Sequence, residues 1–193
     1  MNALTFNPKI VDNFLPNTDC EYIVDYLKHS DKYRRTSDND FWDNRVIDYH
    51  MVDDIYTKQT MEECVHKMQK IIKQEYNLTE DVYPDNMGLV RWFNGMQQQP
   101  HCDDMSDNSN EHARFSHRYF GCIIYLNTDY QGGKTYYPEH NFSIDPMVGR
   151  LAIHLGDCNH RHGVSEIRGN IRYTIASFWS FGTNHAMKEI EFH

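Results

Sequence analysis

Residues 171–181 read IRYTIASFWSF, a run of β-branched and aromatic side chains that follows the turn pair Gly169-Asn170. Runs of this composition between turn residues are typical of β-strands. Working outward, four further runs share this texture, and glycine-containing turn pairs punctuate the region. They span residues 89–93, 119–126, 134–137 and 150–155. Five or more short strands at this spacing predict a sandwich or a barrel.

The first half of the chain has helical periodicity instead. A helix from about residue 54 to 76 is predicted by apolar side chains at helical spacing. The stripe consists of Met61, Cys64, Val65, Met68, Ile71, Ile72 and Tyr76. An earlier helix is predicted to begin at a capping box, Thr18-x-x-Glu21. Its buried face is predicted as Tyr22, Ile23, Tyr26 and Leu27. Helices followed by strands predict an α+β fold with the helices on one face of a sheet.

The length of 193 residues fits one domain. We expect a single domain over residues 1–193, with helical support over about 1–87 and the strand-rich core over about 88–183. The net charge of −9 disfavours a general nucleic-acid-binding protein, which needs a basic surface. No apolar run approaches the roughly 20 residues of a membrane span, and the N-terminal sequence does not resemble a secretory signal.

Five cysteines are scattered through the chain and form no C-x-x-C motif. An odd, scattered set predicts neither a disulfide framework nor a thiolate zinc site. We therefore expect a reducing location, namely the cytoplasm, or the host cytoplasm for a viral protein.

A metal site is suggested by His101-Cys102-Asp103, because residues i and i+2 of a strand point to the same side. Two histidines and one carboxylate on one face are the ligands of non-haem Fe(II) oxygenases. The pair alone carries little weight, since His29-Ser30-Asp31 has the same pattern in a polar segment without strand character. We interpret that second copy as chance.

A third ligand has to come from a distant strand, and the downstream candidates are His154, His160 and His162. Arg172 follows inside the strand pattern of residues 171–181, where a guanidinium facing the same cavity would bind a carboxylate in a bidentate pair. A zinc site built from His160, His162 and a carboxylate is an alternative interpretation of the same residues.

The second half of the chain resembles the Fe(II)/2-oxoglutarate-dependent dioxygenases, in particular their prolyl 4-hydroxylase-like branch. The resemblance covers about residues 88–181 and depends on the order of its elements more than on any one of them. These elements are His101-x-Asp103, Arg118, Ile124-Tyr125-Leu126-Asn127, Gly132-Gly133-x-Thr135-x-Tyr137, Pro146-x-x-Gly149-Arg150, His162-Gly163-Val164 and Gly169-x-x-Arg172-Tyr173.

This resemblance implies a double-stranded β-helix, or jelly-roll, with supporting helices. It implies iron ligands at His101, Asp103 and His162, and it implies that Arg172 and Tyr125 bind the far carboxylate of 2-oxoglutarate. The implied reaction is hydroxylation of an unactivated C–H bond with O2, releasing succinate and CO2, with ascorbate as reductant. The implied substrate is peptidyl proline in a peptide or protein. Its groove is predicted along Arg118, Trp179 and a polar loop, residues 103–117, that is either solvated or a lid.

Some positions depart from the family pattern. Trp92, Gln98 and Gly121 replace residue types that are common in relatives around the cosubstrate and substrate pockets. A hydroxylase of another amino-acid side chain or of a small molecule therefore remains an alternative. Nucleic-acid demethylation is disfavoured, because Phe178 stands where that branch carries a second arginine. A non-catalytic metal-binding jelly-roll is disfavoured because the ligand set and the arginine are intact.

Overall fold

The computed structural model describes residues 6–36, 40–106, 108 and 114–192. Two α-helices, α1 (Asn17–His29) and α2 (Ile55–Glu75), lie in the first half. The described residues form twelve strands. They are β1 (Lys9–Val11), β2 (Val46–Asp48), β3 (Val82–Trp92), β4 (Gln98–His101), β5 (Phe120–Tyr125), β6 (Tyr130–Gly132), β7 (Thr135–Tyr137), β8 (Phe142–Ile144), β9 (Leu151–Leu155), β10 (His162–Val164), β11 (Ile167–Gly169) and β12 (Arg172–Phe181).

The strands form two main antiparallel sheets and one small ribbon. The large sheet has the order β1-β9-β5-β12-β3-β2, the small sheet has the order β4-β10-β7-β8, and β11 pairs with β6. Residues of both main sheets line one cavity. Antiparallel strands with two helices confirm the predicted α+β class.

Helix α2 covers the large sheet with the predicted apolar stripe. Most of the stripe is buried, whereas Ile71 and Tyr76 are half-buried and pack against the same core. Burying such a side chain contributes about 1.5–3 kcal/mol, so the stripe fixes the helix to the sheet. Asp54 caps the helix by accepting a hydrogen bond from the Thr57 N–H. Within the described residues, neither helix has both the length and the apolar character needed to cross a bilayer.

The start of helix α1 differs from the prediction. Its N-cap is Pro16 and no side chain caps it, so the proposed capping box at Thr18 is wrong. The Thr18 hydroxyl instead donates to the neighbouring Asp19 carboxylate. Proline has no side-chain acceptor for the first-turn N–H groups, so it cannot cap the helix. The Pro16 carbonyl instead accepts from the N–H groups of Asp19 and Cys20. The buried face is Cys20, Ile23, Val24 and Leu27, while Tyr22 is exposed.

All five predicted strands are present, as β3, β5, β7, β9 and β12. Strand β3 begins at Val82, seven positions before the predicted start at residue 89. The other seven strands were not predicted, and six of them have only three residues. Two of these, β1 and β2, come from the segment expected to be helical support and form the two edges of the large sheet.

Candidate metal and cosubstrate site

The three predicted metal ligands meet at one end of the small sheet. His101 is the last residue of β4, His162 is the first residue of β10, and the antiparallel register places them directly opposite each other. Asp103 follows β4 in a turn and is buried. Its Oδ1 lies 3.6 Å from His101 Nε2 and 3.8 Å from His162 Nε2. One ligand atom from each residue therefore lies within 4.8 Å of the other two.

Both histidines present the nitrogen that metal binding requires. His101 Nδ1 donates to the Gln99 carbonyl at 3.1 Å, and His162 Nδ1 donates to the His160 carbonyl at 3.0 Å. A carbonyl only accepts, so each ring in its neutral form carries its proton on Nδ1 and has an unprotonated Nε2. At His101 this nitrogen lies 3.4 Å from the side-chain amide nitrogen of Gln98. Burial, reinforced by the neighbouring His154 and His101 rings, lowers the pKa of His162 well below its ordinary value. The ring is therefore neutral and able to ligate at neutral pH.

Arg172 lines the same cavity from the start of β12 and is about 1% exposed. Among the described residues, its Nε and Nη2 have no hydrogen-bond partner. Its guanidinium carbon lies 5.3 Å from the ring centre of Trp92 and 5.2 Å from that of Tyr125. A buried cation without an anion is strongly unfavourable. The arrangement therefore fits an anionic group bound beside Arg172, and a carboxylate matches the two free donors.

Tyr125 is buried beside Arg172, and its hydroxyl lies 2.7 Å from the Thr135 hydroxyl. Tyr125 belongs to the large sheet and Thr135 to the small one, so this pair links the two sheets next to the arginine. The assignment of Tyr125 to the cosubstrate carboxylate remains a prediction.

The other candidate histidines divide into a structural one and an unexpected one. His160 is buried outside the ligand cluster, where its ring Nδ1 lies 2.8 Å from Asp157 Oδ1. The alternative zinc site through His160 therefore finds no support in this geometry. His154 lines the cavity, and its Nε2 lies 3.8 Å from Asp103 Oδ2. His154, one of the three candidates for the third ligand, thus lies beside the cluster of His101, Asp103 and His162 without being part of it.

The second H-x-D pattern lies at the end of α1, far along the chain from this cavity. His29 is its last helical residue, and its ring Nδ1 contacts Asp25 on the exposed helix surface. Within the part of the chain that the structure describes, the groups able to hold a metal do not include His29 or Asp31. The interpretation of this copy as chance is consistent with that placement.

The two predicted substrate contacts behave differently. Arg118 is mostly buried, its Nε donates to Asp85, and its guanidinium carbon lies 4.0 Å from the ring centre of Phe178, which lines the cavity. Trp179 is fully buried in the main core, and its indole N–H donates to the Ser177 hydroxyl. The prediction that Trp179 lines a groove is therefore wrong, because it occupies the opposite face of β12 from Phe178.

Strand alternation also identifies cavity residues that the sequence analysis missed. Arg172, Thr174, Ala176 and Phe178 all line the cavity from β12, as period-two alternation requires. Trp42 lines it as well, although nothing in its sequence surroundings indicated this. The predicted loop over residues 103–117 falls partly outside the described residues, namely at 107 and 109–113.

The cysteine prediction needs one correction. Cys102 and Cys158 form a disulfide across 56 positions of sequence, while Cys20, Cys64 and Cys122 are free and buried. Cys102 lies between His101 and Asp103. The pairing arises because the end of β4 and the segment after β9 meet at the site, which the spacing of the cysteines does not reveal.

Comparison with known proteins places this geometry. The family model of the 2OG-Fe(II) oxygenase superfamily matches residues 87–180. Probable prolyl 4-hydroxylase 4 and Prolyl 4-hydroxylase 2 of Arabidopsis thaliana are each 22% identical, over 152 and 149 residues. These matches cover 79% and 77% of this chain but 50% and 49% of the relatives. The chain thus spans about half the length of the curated relatives it matches.

Solved structures show the same fold at low identity. The viral collagen prolyl hydroxylase of Paramecium Bursaria Chlorella virus-1, in a 2OG complex, gives a TM-score of 0.68 at 13% identity, covering 94% of this chain and 96% of that one. A prolyl hydroxylase from Trichoplax adhaerens, in complex with a hypoxia inducible factor peptide fragment, gives a TM-score of 0.69 at 21% identity. The match covers 91% of this chain and 84% of that one. A Pseudomonas putida prolyl-4-hydroxylase gives a TM-score of 0.66 at 16% identity, covering 91% of this chain and 93% of that one.

These neighbours share the jelly-roll arrangement of strands and the supporting helices, so the predicted fold is confirmed. Residues 87–180 thus match the 2OG-Fe(II) oxygenase superfamily, and the chain is similar to prolyl 4-hydroxylases in sequence and to prolyl hydroxylases in fold.

Proposed function

We propose that the protein hydroxylates an unactivated C–H bond of peptidyl proline, using Fe(II), 2-oxoglutarate and O2, and releases succinate and CO2. The observation that carries this proposal is that one cavity holds both the His101–Asp103–His162 cluster and the Arg172 guanidinium, whose Nε and Nη2 have no hydrogen-bond partner among the described residues. A metal site alone fits many proteins. A metal site beside a buried cation that lacks an anion fits a cosubstrate with a carboxylate at its far end.

The donor set fits Fe(II). Two imidazoles and one carboxylate leave part of the coordination shell free, which is the arrangement of non-haem Fe(II) oxygenases. His101, Asp103 and His162 would hold the ion through Asp103 Oδ1 and the two Nε2 atoms, because each Nδ1 donates to a carbonyl. When bound, iron and 2-oxoglutarate supply the oxidising chemistry that amino-acid side chains lack. Ascorbate would act as reductant.

Arg172 and Tyr125 would orient the cosubstrate. The guanidinium offers two free N–H groups, and the aromatic rings of Trp92 and Tyr125 flank it and limit its movement. When the Thr135 hydroxyl donates to the Tyr125 oxygen, the O–H of Tyr125 would be free to donate to the carboxylate. Orientation of this kind lowers the entropic barrier to reaction.

The substrate side of the cavity supports a compact apolar group. Trp42, Ile123, Val164, Ala176 and Phe178 line it together with the polar cluster. A proline ring is small and apolar and matches these walls. The cation of Arg118 packs on the ring of Phe178, so Arg118 would support the wall that a peptide contacts. The Trichoplax adhaerens neighbour was solved with a peptide fragment.

Strands from both halves of the chain support a single catalytic domain over residues 1–193. Strand β1 pairs with β9, which carries His154, and β2 pairs with β3, which in turn pairs with β12 next to Arg172. The segment before residue 88 therefore contributes to the sheet that forms one wall of the cavity.

The test is succinate formation by the full chain with Fe(II), 2-oxoglutarate, ascorbate and air, with proline-containing peptides added or withheld. We expect turnover that a peptide stimulates, and mass spectrometry should find one oxygen atom added to a proline of that peptide. Asp103→Ala should reduce turnover to background, whereas His29→Ala, which changes the other H-x-D pattern, should not.

Two outcomes would contradict the proposal at different levels. Equal succinate formation by the Asp103→Ala variant would reject the metal site. Peptide-independent turnover with no oxygen added to any peptide would reject peptidyl proline and favour another substrate for the same reaction.

A further inference from the structure

We propose that His154 is a positioning residue for Asp103, and that the two side chains share one water molecule in the cavity that they line beside Gly121. This inference rests on the proposed function, because it concerns how the proposed metal ligand Asp103 is held. It assigns a role to a histidine that the ligand set does not use.

The first step is the state of the His154 ring. His154 is about 1% exposed in β9, and its Nδ1 donates to the Leu155 carbonyl at 3.0 Å. The proton of the neutral ring is therefore on Nδ1, and Nε2 carries a free lone pair. His154 shares this arrangement with His101 and His162, and all three rings direct Nε2 toward Asp103.

The second step is that the two oxygens of Asp103 face different neighbours. Oδ1 lies nearest to His101 and His162, whereas Oδ2 lies 3.8 Å from His154 Nε2. Oδ2 is buried and has no hydrogen-bond partner among the described residues. A separation of 3.8 Å is too long for a direct hydrogen bond, and two acceptors repel each other at close range.

The third step is that water resolves this conflict. One water molecule has two hydrogens and donates to both acceptors, and polar contacts beyond about 3.5 Å are commonly bridged in this way. Buried water requires a polar site with space and at least two partners. Asp103 Oδ2 and His154 Nε2 supply the two partners.

The fourth step is the space itself. Gly121 in β5 is paired directly opposite His154 in β9. A Cβ at residue 121 would overlap Asp103 Oδ2 and lie 2.9 Å from His154 Nε2. The backbone of Gly121 is not in the left-handed region, so its conformation does not demand glycine. Glycine at this position therefore avoids a collision with both polar groups, and the cavity that Asp103, Gly121 and His154 line together supplies the space for the water.

The consequence concerns how the carboxylate binds metal. With Oδ2 held through His154, Asp103 presents Oδ1 to the metal and is prevented from rotating to present both oxygens. Partners that orient a ligand in this way typically change metal affinity about 10- to 100-fold when they are removed.

The test is a pair of variants that separate the two ring nitrogens. His154→Asn places an amide near the Nδ1 position and does not reach Asp103, whereas His154→Gln reaches the Nε2 position. Co(II) affinity of the metal-free full chain would be measured by calorimetry and by visible absorption. We expect His154→Asn to bind about 10- to 100-fold more weakly and His154→Gln to remain close to wild type.

A merely structural role for His154 would change thermal stability but would not produce this difference between Asn and Gln. Equal affinities for wild type and His154→Asn, or equal losses in both variants, would overturn the proposal. If neither variant folds, His154→Leu carries the test, because it removes the Nε2 acceptor without placing an atom against Asp103 as Gly121→Ala would. An unchanged Co(II) affinity in that variant would overturn the proposal.

Failure of the proposed function looks different. In that case wild type itself would not bind Co(II), or Asp103→Ala would bind it as well as wild type. His29→Gln serves as the control for weak binding to exposed histidines.

Discussion

The two main sheets contribute different parts of the site in different ways. Arg172 is the first residue of β12, and β12 pairs with β3 along its whole length. The pairing runs from Arg172 opposite Trp92 to Phe181 opposite Val82 and has one register irregularity. The imidazoles belong to β4 and β10, strands of four and three residues whose register shifts between His162 and Val164. The proposed anchor for the cosubstrate thus lies on a long, regularly paired strand, whereas the two proposed histidine ligands lie at the ends of short strands.

This difference indicates where each function draws its rigidity. Long antiparallel pairing forms from main-chain hydrogen bonds and apolar packing without help from a ligand. Short strand ends need other constraints, which here include the Cys102–Cys158 disulfide and, when bound, the metal itself. We expect metal binding to order the small sheet more than the large one.

Arg172→Ala gives the largest expected effect and tests the large-sheet side of the comparison. Loss of one partner of a buried ion pair costs about 3–5 kcal/mol, so KM for 2-oxoglutarate should rise roughly 100-fold or more. Co(II) affinity without cosubstrate should not change, because the arginine is not a ligand. Arg168→Ala, which removes an exposed arginine, is the control. An unchanged KM for 2-oxoglutarate in Arg172→Ala would contradict the proposal that Arg172 binds the cosubstrate.

A matched pair of isoleucines compares the two sheets directly. Ile175 in β12 and Ile144 in β8 are both about 1% exposed. Replacing a buried isoleucine by alanine costs about 2–5 kcal/mol, depending on how far the surroundings collapse. We expect Ile175→Ala, in the middle of the large sheet, to lower the free energy of unfolding by an amount near the upper end of this range. Ile144→Ala, in an edge strand, should lower it by an amount near the lower end. Urea unfolding measures both, and equal losses would contradict the contrast.

Removal of the disulfide tests the small-sheet side. Cys158→Ser should lower the free energy of unfolding by about 2–4 kcal/mol, because the cross-link closes a long loop. Thermal unfolding with and without reductant provides the measurement. Reductant should lower the melting temperature of wild type to that of the variant and leave the melting temperature of the variant unchanged. A variant that responds to reductant as wild type does would show that the disulfide does not stabilise the protein.

Asp157 gives the smallest expected effect. Burial alone would raise the pKa of its carboxyl, but hydrogen bonds from His160 outweigh this and hold it below the ordinary value of 3.8. The carboxylate therefore stabilises the fold above that ordinary value, and this contribution is lost as pH falls through the lowered pKa. Because the side chain is about half exposed, we expect less than about 1 kcal/mol.

The melting temperatures of wild type and Asp157→Asn measure that contribution. They should differ slightly at pH 6 and converge as the solution is acidified below pH 4. A difference that persists in acid would show that the carboxylate charge is not the cause.

The sequence predicts the long elements well because their periodicity is repeated many times. The stripe of α2 and the runs that became β5, β9 and β12 each carry several consistent side chains. Strand β4 has the sequence QQPH, which has no strand character of its own. It is extended because it pairs with β10, and such pairing is not a local property of either segment.

The same limit explains the site. His101, Asp103 and His162 could be predicted because the family pattern preserves their order, and Trp179 could have been excluded because it alternates with Arg172 on β12. The Cys102–Cys158 pair and the approach of His154 to Asp103 could not be predicted. Both depend on which strands become neighbours, and neither leaves a spacing signal along the chain.

The edges of the large sheet have a consequence for behaviour at high concentration. Both outer strands, β1 and β2, have only three residues, so each offers little open backbone to another chain. Beyond β2, strand β3 carries Pro84, which has no N–H, and the Pro84 carbonyl already accepts from the Met187 N–H. Short edges and an edge proline are devices that prevent sheets from joining edge to edge. The long central pairing that anchors Arg172 is thereby kept from becoming a template for aggregation.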